Sequence, residues 1–360
     1  MSDESIQPRM TRMNTDGKNN VPISCGASEL IRVYPRHPWL VFVFLLFIAW
    51  PLSFAAPADD RATVILVVGA SGEDEFEPNF SEQVTQWEKA CARGGCARIT
   101  IGAGEMPAGA DTDYEKLKQA IAAESKEGSR ELWLVLIGHG TFNGKEAKFN
   151  LRGPDVSAAE IAEWLKPFKR PLAIVDTSAA SAPFLAKLSD QNRVVITATR
   201  SGNEQNFARL GKYLAVAWSD PKSDLDQDGQ TSLLEAFLSA AARVTDFYKT
   251  EGRLATEHAL IDDNGDGLGT PADWFRGTRA TKKPQNGASL DGARARQFHL
   301  VRSEAEQKLT PEQRAKRDEL ELAIEMLREQ KPKLSEPEYY RRLEVFLLEL
   351  ARVYHPATGT

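Results

Sequence analysis

Two short apolar runs with no polar interruption constrain this chain more than anything else in it. Leu132-Trp133-Leu134-Val135-Leu136-Ile137 ends in Gly138-His139-Gly140, and Pro171-Leu172-Ala173-Ile174-Val175 ends in Asp176-Thr177-Ser178. Between them Ser157-Ala158-Ala159-Glu160 is a capping box that opens a helix over 157–168. A strand with one wet face alternates apolar and polar residues. A strand that is apolar throughout is buried on both faces, as in a parallel sheet sandwiched by helices. Chemistry in such sheets sits just beyond the carboxyl ends of the strands. His139 and Ser178 are therefore expected at one edge of the sheet, on neighbouring strands.

The rest of the chain repeats this alternation. Strands are expected over 63–68, 98–101 and 193–199, and helices over 77–91, 113–123 and 182–188. Gly69-Ala70-Ser71-Gly72 lacks the spacing of a phosphate loop and reads as a plain strand-to-loop turn. The predicted fold class is α/β, a doubly wound, mostly parallel sheet with right-handed crossovers. The main domain is placed at 57–276. The basic, Gly/Ala-rich stretch 277–302 has no apolar period and reads as a linker. At 303–360 two helical starts, Thr310-Pro311-Glu312-Gln313 and Ser335-Glu336-Pro337-Glu338, open amphipathic stretches. The second carries Tyr340, Leu343, Leu347, Leu350 and Tyr354 at heptad-like spacing. These form either a helical hairpin packed on the main domain or a dimer seam. The hairpin is the default, because two heptads are few for a coiled coil.

An apolar strand ending in His-Gly, followed by one ending in Asp-Ser-Cys or similar, resembles the caspase, legumain and gingipain superfamily of cysteine peptidases, over roughly 60–270 of this chain. The resemblance implies a caspase-like domain with a His–Cys dyad. His139-Gly140 is intact, whereas the second motif aligns as Asp176-Thr177-Ser178 and puts serine at the nucleophile position. It thus implies His139 as acid/base, Ser178 as nucleophile and the Gly140 N–H as an oxyanion donor. Arg200 and Ser201 are candidates to line a substrate pocket, or ordinary turn residues. A thiol with a pKa of about 8.5 ionises readily; a serine needs a close, oriented base. Asp and Ser after a strand also commonly cap the next helix. Two functions follow: a protein that keeps the fold and binds peptide or protein without cutting it, and a slow peptide-bond or ester hydrolase using Ser178 and His139. The first is preferred on the missing thiol.

Asp224-Leu225-Asp226-Gln227-Asp228-Gly229-Gln230 and Glu235 match an EF-hand calcium loop. Asp224, Asp226 and Asp228 supply oxygens at positions 1, 3 and 5, Gly229 turns the chain, Gln230 offers its carbonyl, and Glu235 is the bidentate ligand at position 12. A second loop places Asp262, Asn264 and Asp266 likewise, with the Leu268 carbonyl at 7 and Asp273, one methylene shorter than glutamate, at 12. For each, the plain alternative is an acidic turn before a helix, the second with Thr270 as N-cap and Pro271 at N1. The expected cofactor is Ca²⁺. His258, just upstream of the second loop, is either a supporting group or structural.

The leader 1–37 is polar and irregular and is expected to be disordered. The segment 38–56 is almost wholly apolar, with Arg32 and Arg36 before it and Asp59 and Asp60 after it. It reads as a signal peptide or an uncleaved membrane anchor, with the N-terminus inside and the main domain extracytoplasmic. Cys91 and Cys96 then form either a disulfide loop or two free thiols. A net charge of −6 with no Lys/Arg run argues against nucleic acid as a partner.

Overall fold

The computed structural model describes residues 61–355. The leader and the apolar segment 38–56 lie outside them. Among the described residues no helix is long and apolar enough to cross a membrane.

The chain alternates as its apolar pattern requires. It runs β1 (Thr63–Val68), α1 (Glu77–Gly94), β2 (Ala97–Ile101), α2 (Asp113–Ala123) and β3 (Leu132–Ile137). A small antiparallel sheet follows, β4 (Gly140–Phe142), β5 (Ala147–Phe149) and β6 (Val156–Ser157). Then come α3 (Ala158–Leu165), β7 (Leu172–Asp176), α4 (Ala182–Leu188), β8 (Arg193–Thr197), α5 (Leu210–Ala217) and α6 (Leu233–Thr250). Capping boxes at Thr112, Ser157 and Ser232 start α2, α3 and α6.

Among the described residues the central sheet has seven strands, and β2, β1, β3, β7 and β8 run parallel in that order. Two short strands, β9 (Leu260–Asp262) and β10 (Thr270–Pro271), extend it antiparallel beyond β8. Side chains alternate across the parallel strands, and both faces are buried. Val64, Leu66, Trp133, Val135 and Val175 meet α1, α5 and α6. Ile65, Val67, Leu134, Leu136 and Ile174 meet α2, α3 and α4. The sheet is thus doubly wound and mostly parallel.

The stretch 277–302 departs from its reading as a linker. After a two-strand ribbon, β11 (Phe275–Arg276) and β12 (Arg279–Ala280), it packs into the domain. Ala295, Phe298 and Leu300 are buried in the core, with the Phe298 ring edge-on to Trp133 at 5.9 Å. The Leu300 carbonyl fills the space over Gly94, where a side chain would collide with it. Asp263, buried, accepts the Gly292 and Ala295 amides at 2.8 and 2.7 Å and holds the irregular backbone in place. Single apolar residues inserted from an irregular strap leave no period to read.

α7 (Glu304–Gln307) leads to α8 (Pro311–Gln330) and α9 (Glu336–Tyr354), which fold against each other through Leu309, Leu320, Phe346, Leu350 and Val353. α8 docks on the strap: Arg296 pairs with Glu325 at 2.7 Å, and Gln297 Nε2 donates to the Asp318 carbonyl at 2.8 Å. Of the heptad-like positions, Leu350 turns inward while Tyr340 and Leu347 stay exposed. Cys91 and Cys96 are free thiols.

Candidate functional site

Sheet order reverses at β1, with β2 on one side and β3 on the other. Such a switch point leaves a crevice beyond the strand ends. The loops after β1 and β3 close on each other there, because a side chain on Gly138 would press within 3.0–3.1 Å of the Phe149 ring and Gly69. His139 sits half-buried at this edge of the sheet, its Nε2 3.0 Å from the Ser71 carbonyl oxygen. A carbonyl only accepts, so Nε2 carries the proton and Nδ1 is the basic nitrogen. Phe76, Phe80 and Phe207 surround the ring at 4.7, 5.3 and 6.0 Å between centroids.

β7 lies beside β3 with Asp176 in register with Leu136. The Thr177 N–H and hydroxyl both donate to the Leu136 carbonyl, at 3.1 and 2.8 Å. Ser178, next in the chain, is 0% exposed. Its N–H and hydroxyl donate to Asp176 Oδ1 at 3.0 and 2.6 Å, and the hydroxyl also lies 3.2 Å from the Ala179 carbonyl. Gly140 covers it: a Cβ there would come 2.7 Å from Ser178 Oγ and collide with the Ala179 carbonyl. His139 and Ser178 therefore stand on adjacent strand ends, but no hydrogen bond joins them. The imidazole is turned to Ser71 and the hydroxyl to Asp176.

Asp176 is the residue that the motif reading missed. It is wholly buried, and Oδ2 has no partner. Burial pushes its pKa up to about 7, while the two hydrogen bonds from Ser178 pull it back. The turn after Ser178 is held by Ala180 at φ 54, a left-handed conformation that is costly for alanine, with its N–H donating to the Glu204 carbonyl at 2.8 Å. The aromatic ring around His139 was half legible: Phe76 and Phe80 are one helical turn apart, but nothing local in the sequence points to Phe207.

Arg200 and Ser201 belong to a turn. Glu204 Oε2 accepts the Arg200 N–H at 3.0 Å, and Ser201 Oγ accepts the Asn203 N–H at 3.1 Å. His258 pairs with the same glutamate, its Nδ1 2.6 Å from Glu204 Oε1, and is not tied to the second acidic loop.

The two acidic loops differ. In the first, Gln227 (φ 62) and Gly229 (φ 88) are both left-handed and curl the backbone, and Asp224 accepts the Asp228 and Gly229 amides at 3.2 and 3.0 Å. Glu235 is buried, with Oε1 facing the Leu225 and Asp226 amides and Oε2 closing the α6 capping box with Ser232. Oxygens of Asp224, Asp226 and Glu235 lie within 4.8 Å of one another. Burial, then the neighbouring Glu235, Asp228 and Asp224, push Asp226 up to about 6. Asp228 and Gln230 pair with each other, Gln230 Nε2 donating to Asp228 Oδ2 at 3.1 Å. The donor set fits a hard cation, which prefers clustered carboxylate oxygens.

In the second loop Asp262 accepts the Gly265 and Gly267 amides, and Asn264 and Asp266 accept the Asp266 and Leu268 amides. Asp273 does not join them. Thr270 and Pro271 form strand β10 against Ile261 and Leu260 instead of opening a helix, and Asp273 is exposed on a 3₁₀ turn beyond it. Among the described residues Asp262, Asp266 and Asp273 do not gather closely enough to share an ion.

No family model matches the chain, and no curated protein does. Solved structures similar to it include the Drosophila initiator caspase Dronc, at 14% identity and a TM-score of 0.36, covering 59% of this chain and 82% of that one. Caspase-1 from Spodoptera frugiperda is similar at 9% identity and a TM-score of 0.37, covering 57% and 86%. So is drICE, at 9% identity and a TM-score of 0.35, covering 57% and 87%.

Proposed function

We propose that this protein binds a peptide or protein without cleaving it, and that its 224–235 loop takes Ca²⁺. The observation that carries the first part is the Ser178 hydroxyl, 0% exposed and donating to Asp176 Oδ1 at 2.6 Å. A serine nucleophile has to present its oxygen to substrate while a base takes its proton. Here Gly140 lies over the oxygen, and the His139 ring is engaged with Ser71. The resemblance of the His139-Gly140 and Asp176-Thr177-Ser178 motifs to a peptidase superfamily supports peptide as the ligand class. Clustering of Asp224, Asp226 and Glu235 oxygens supports the cation.

The hydrolase reading draws on one observation, the adjacency of β3 and β7, which sets His139 and Ser178 on neighbouring strand ends. One experiment separates the two. The calcium-loaded protein is treated with an activated-serine probe and assayed against a broad peptide library. The binding reading expects no labelling at Ser178 and no cleavage. Labelling at Ser178, with turnover lost in Ser178→Ala, overturns it and makes the protein a serine hydrolase.

A further inference from the structure

A groove of about 1250 Å³ runs between α6, the segment 253–260 and the turn 269–277. His139 and Ser178 do not line it. It meets their edge of the sheet through Glu204, whose carbonyl holds the turn after Ser178 and whose carboxylate holds two groove residues, His258 at 2.6 Å and Arg200 at 3.4 Å. With Nδ1 engaged, His258 keeps Nε2 for a ligand.

The groove combines an apolar lining with positive charge. Leu254 is 90% exposed on the extended segment and Leu225 is 41% exposed; Trp274 and Phe275 line the same groove. Lys222, Lys249 and Arg253 line it with no acidic partner among the described residues. Of the carboxylates in the lining, Glu257 is buried and spent on the Arg209 and Leu210 amides and the Tyr248 hydroxyl. Asp246 and Asp273 are the exposed ones. Arg200 and Arg243 are offset by Glu204 and Asp220, which leaves three unpaired cations against two exposed carboxylates on a chain with a net charge of −6.

We infer that this groove seats an acidic peptide segment of a partner protein, anchored by a bulky apolar side chain. Unpaired cations draw in a segment of opposite charge and fix its register, and a desolvated apolar pocket supplies the anchor. A nucleic acid, the other polyanion, fits less well, because Leu254 and Leu225, the exposed leucines of the lining, offer its bases no stacking surface. The inference rests on the peptide-binding reading above and adds to it the seat and the class of ligand.

The test is fluorescence anisotropy on the full chain with a labelled peptide of about ten residues, rich in Glu and Asp and carrying Leu and Phe, as a length suited to the groove. Controls are the same peptide with Lys for each acid and a single-stranded oligonucleotide of equal charge. The acidic peptide should bind, and binding should weaken between about 0.05 and 0.3 M salt. Lys249→Glu with Arg253→Glu should weaken it about tenfold or more, as should Leu254→Ser, while Lys118→Glu, an exposed residue of α2 on the other face of the sheet, leaves it unchanged. These three groove residues are exposed, so the variants retain the fold, checked by circular dichroism. Peptide binding indifferent to the groove variants overturns the seat and leaves the binding reading standing. Equal or tighter binding of the basic peptide or the oligonucleotide overturns the ligand class. Binding of no peptide at all removes both readings.

Discussion

At the scale of single residues, the decisive pair is Asp176 and Ser178 rather than His139 and Ser178. The strand-end motifs told where these side chains lie, because an apolar run can end only at the sheet edge. They did not tell which way the hydroxyl turns. That depends on the left-handed Ala180 and on how closely Gly140 presses down, and neither leaves a pattern in the sequence. Asp176 carries a testable consequence. Its pKa is about 7 in the folded protein, against about 3.9 for an unperturbed aspartate. A carboxyl raised by folding contributes stability that is full below the unfolded value and is lost as pH rises through the folded one. The protein should therefore lose stability between about pH 4 and 7, on the order of a few kcal/mol from this group. In Asp176→Asn, whose amide still accepts from Ser178, that part of the slope should vanish from melting curves taken across this range. An unchanged slope would assign the pH dependence to other groups. Gly140→Ala forces a methyl against Ser178 Oγ and the Ala179 carbonyl. It should cost about 1–3 kcal/mol in chemical denaturation.

At the scale of elements, unbroken apolar runs and the capping boxes at Ser157 and Thr310 were legible, while those at Thr112 and Ser232 were not read, and the helices and parallel strands stand close to where they were expected. What escaped was pairing between short segments. Thr270-Pro271 has the chemistry of a helix start, yet its backbone pairs with Leu260-Ile261, and this carries Asp273 away from Asp262. Twelve-residue spacing is necessary for a calcium loop, but the chain after the loop must also curl back, as α6 does behind Glu235 and β10 does not. Calcium at about 100 times its dissociation constant should stabilise the wild type by about 2.7 kcal/mol. Asp226→Asn, at an exposed position, should largely abolish the calcium-dependent rise in melting temperature, and Asp273→Ala should leave it intact. A rise lost in Asp273→Ala but kept in Asp226→Asn would move the ion to the second loop.

At the scale of the whole molecule, the C-terminal helices dock on the strap through Arg296 and Glu325 and are tied to one another by a buried ion pair between α7 and α8, Glu306 to Arg317 at 2.5 Å, with Asp318 at 2.7 Å from the same guanidinium. Arg317→Ala leaves Glu306 buried without its cation and should cost about 3–5 kcal/mol in a denaturant titration. Export, expected from the segment 38–56, is tested by a reporter fused after Thr360, which should be active only outside the cytoplasm. The strap 277–302 was the least legible part of the chain, since composition and period both miss residues buried one at a time. Its position also sets an order of events in time. Vectorial synthesis, or threading through a membrane pore, delivers β3 long before the phenyl ring that closes over Trp133. Until Phe298 and Leu300 emerge, one face of the sheet lacks its last cover. A nascent chain stalled before residue 298 should therefore be cut readily by protease, and one released past residue 303 should resist. The open interval between them is when a chaperone has something apolar to hold.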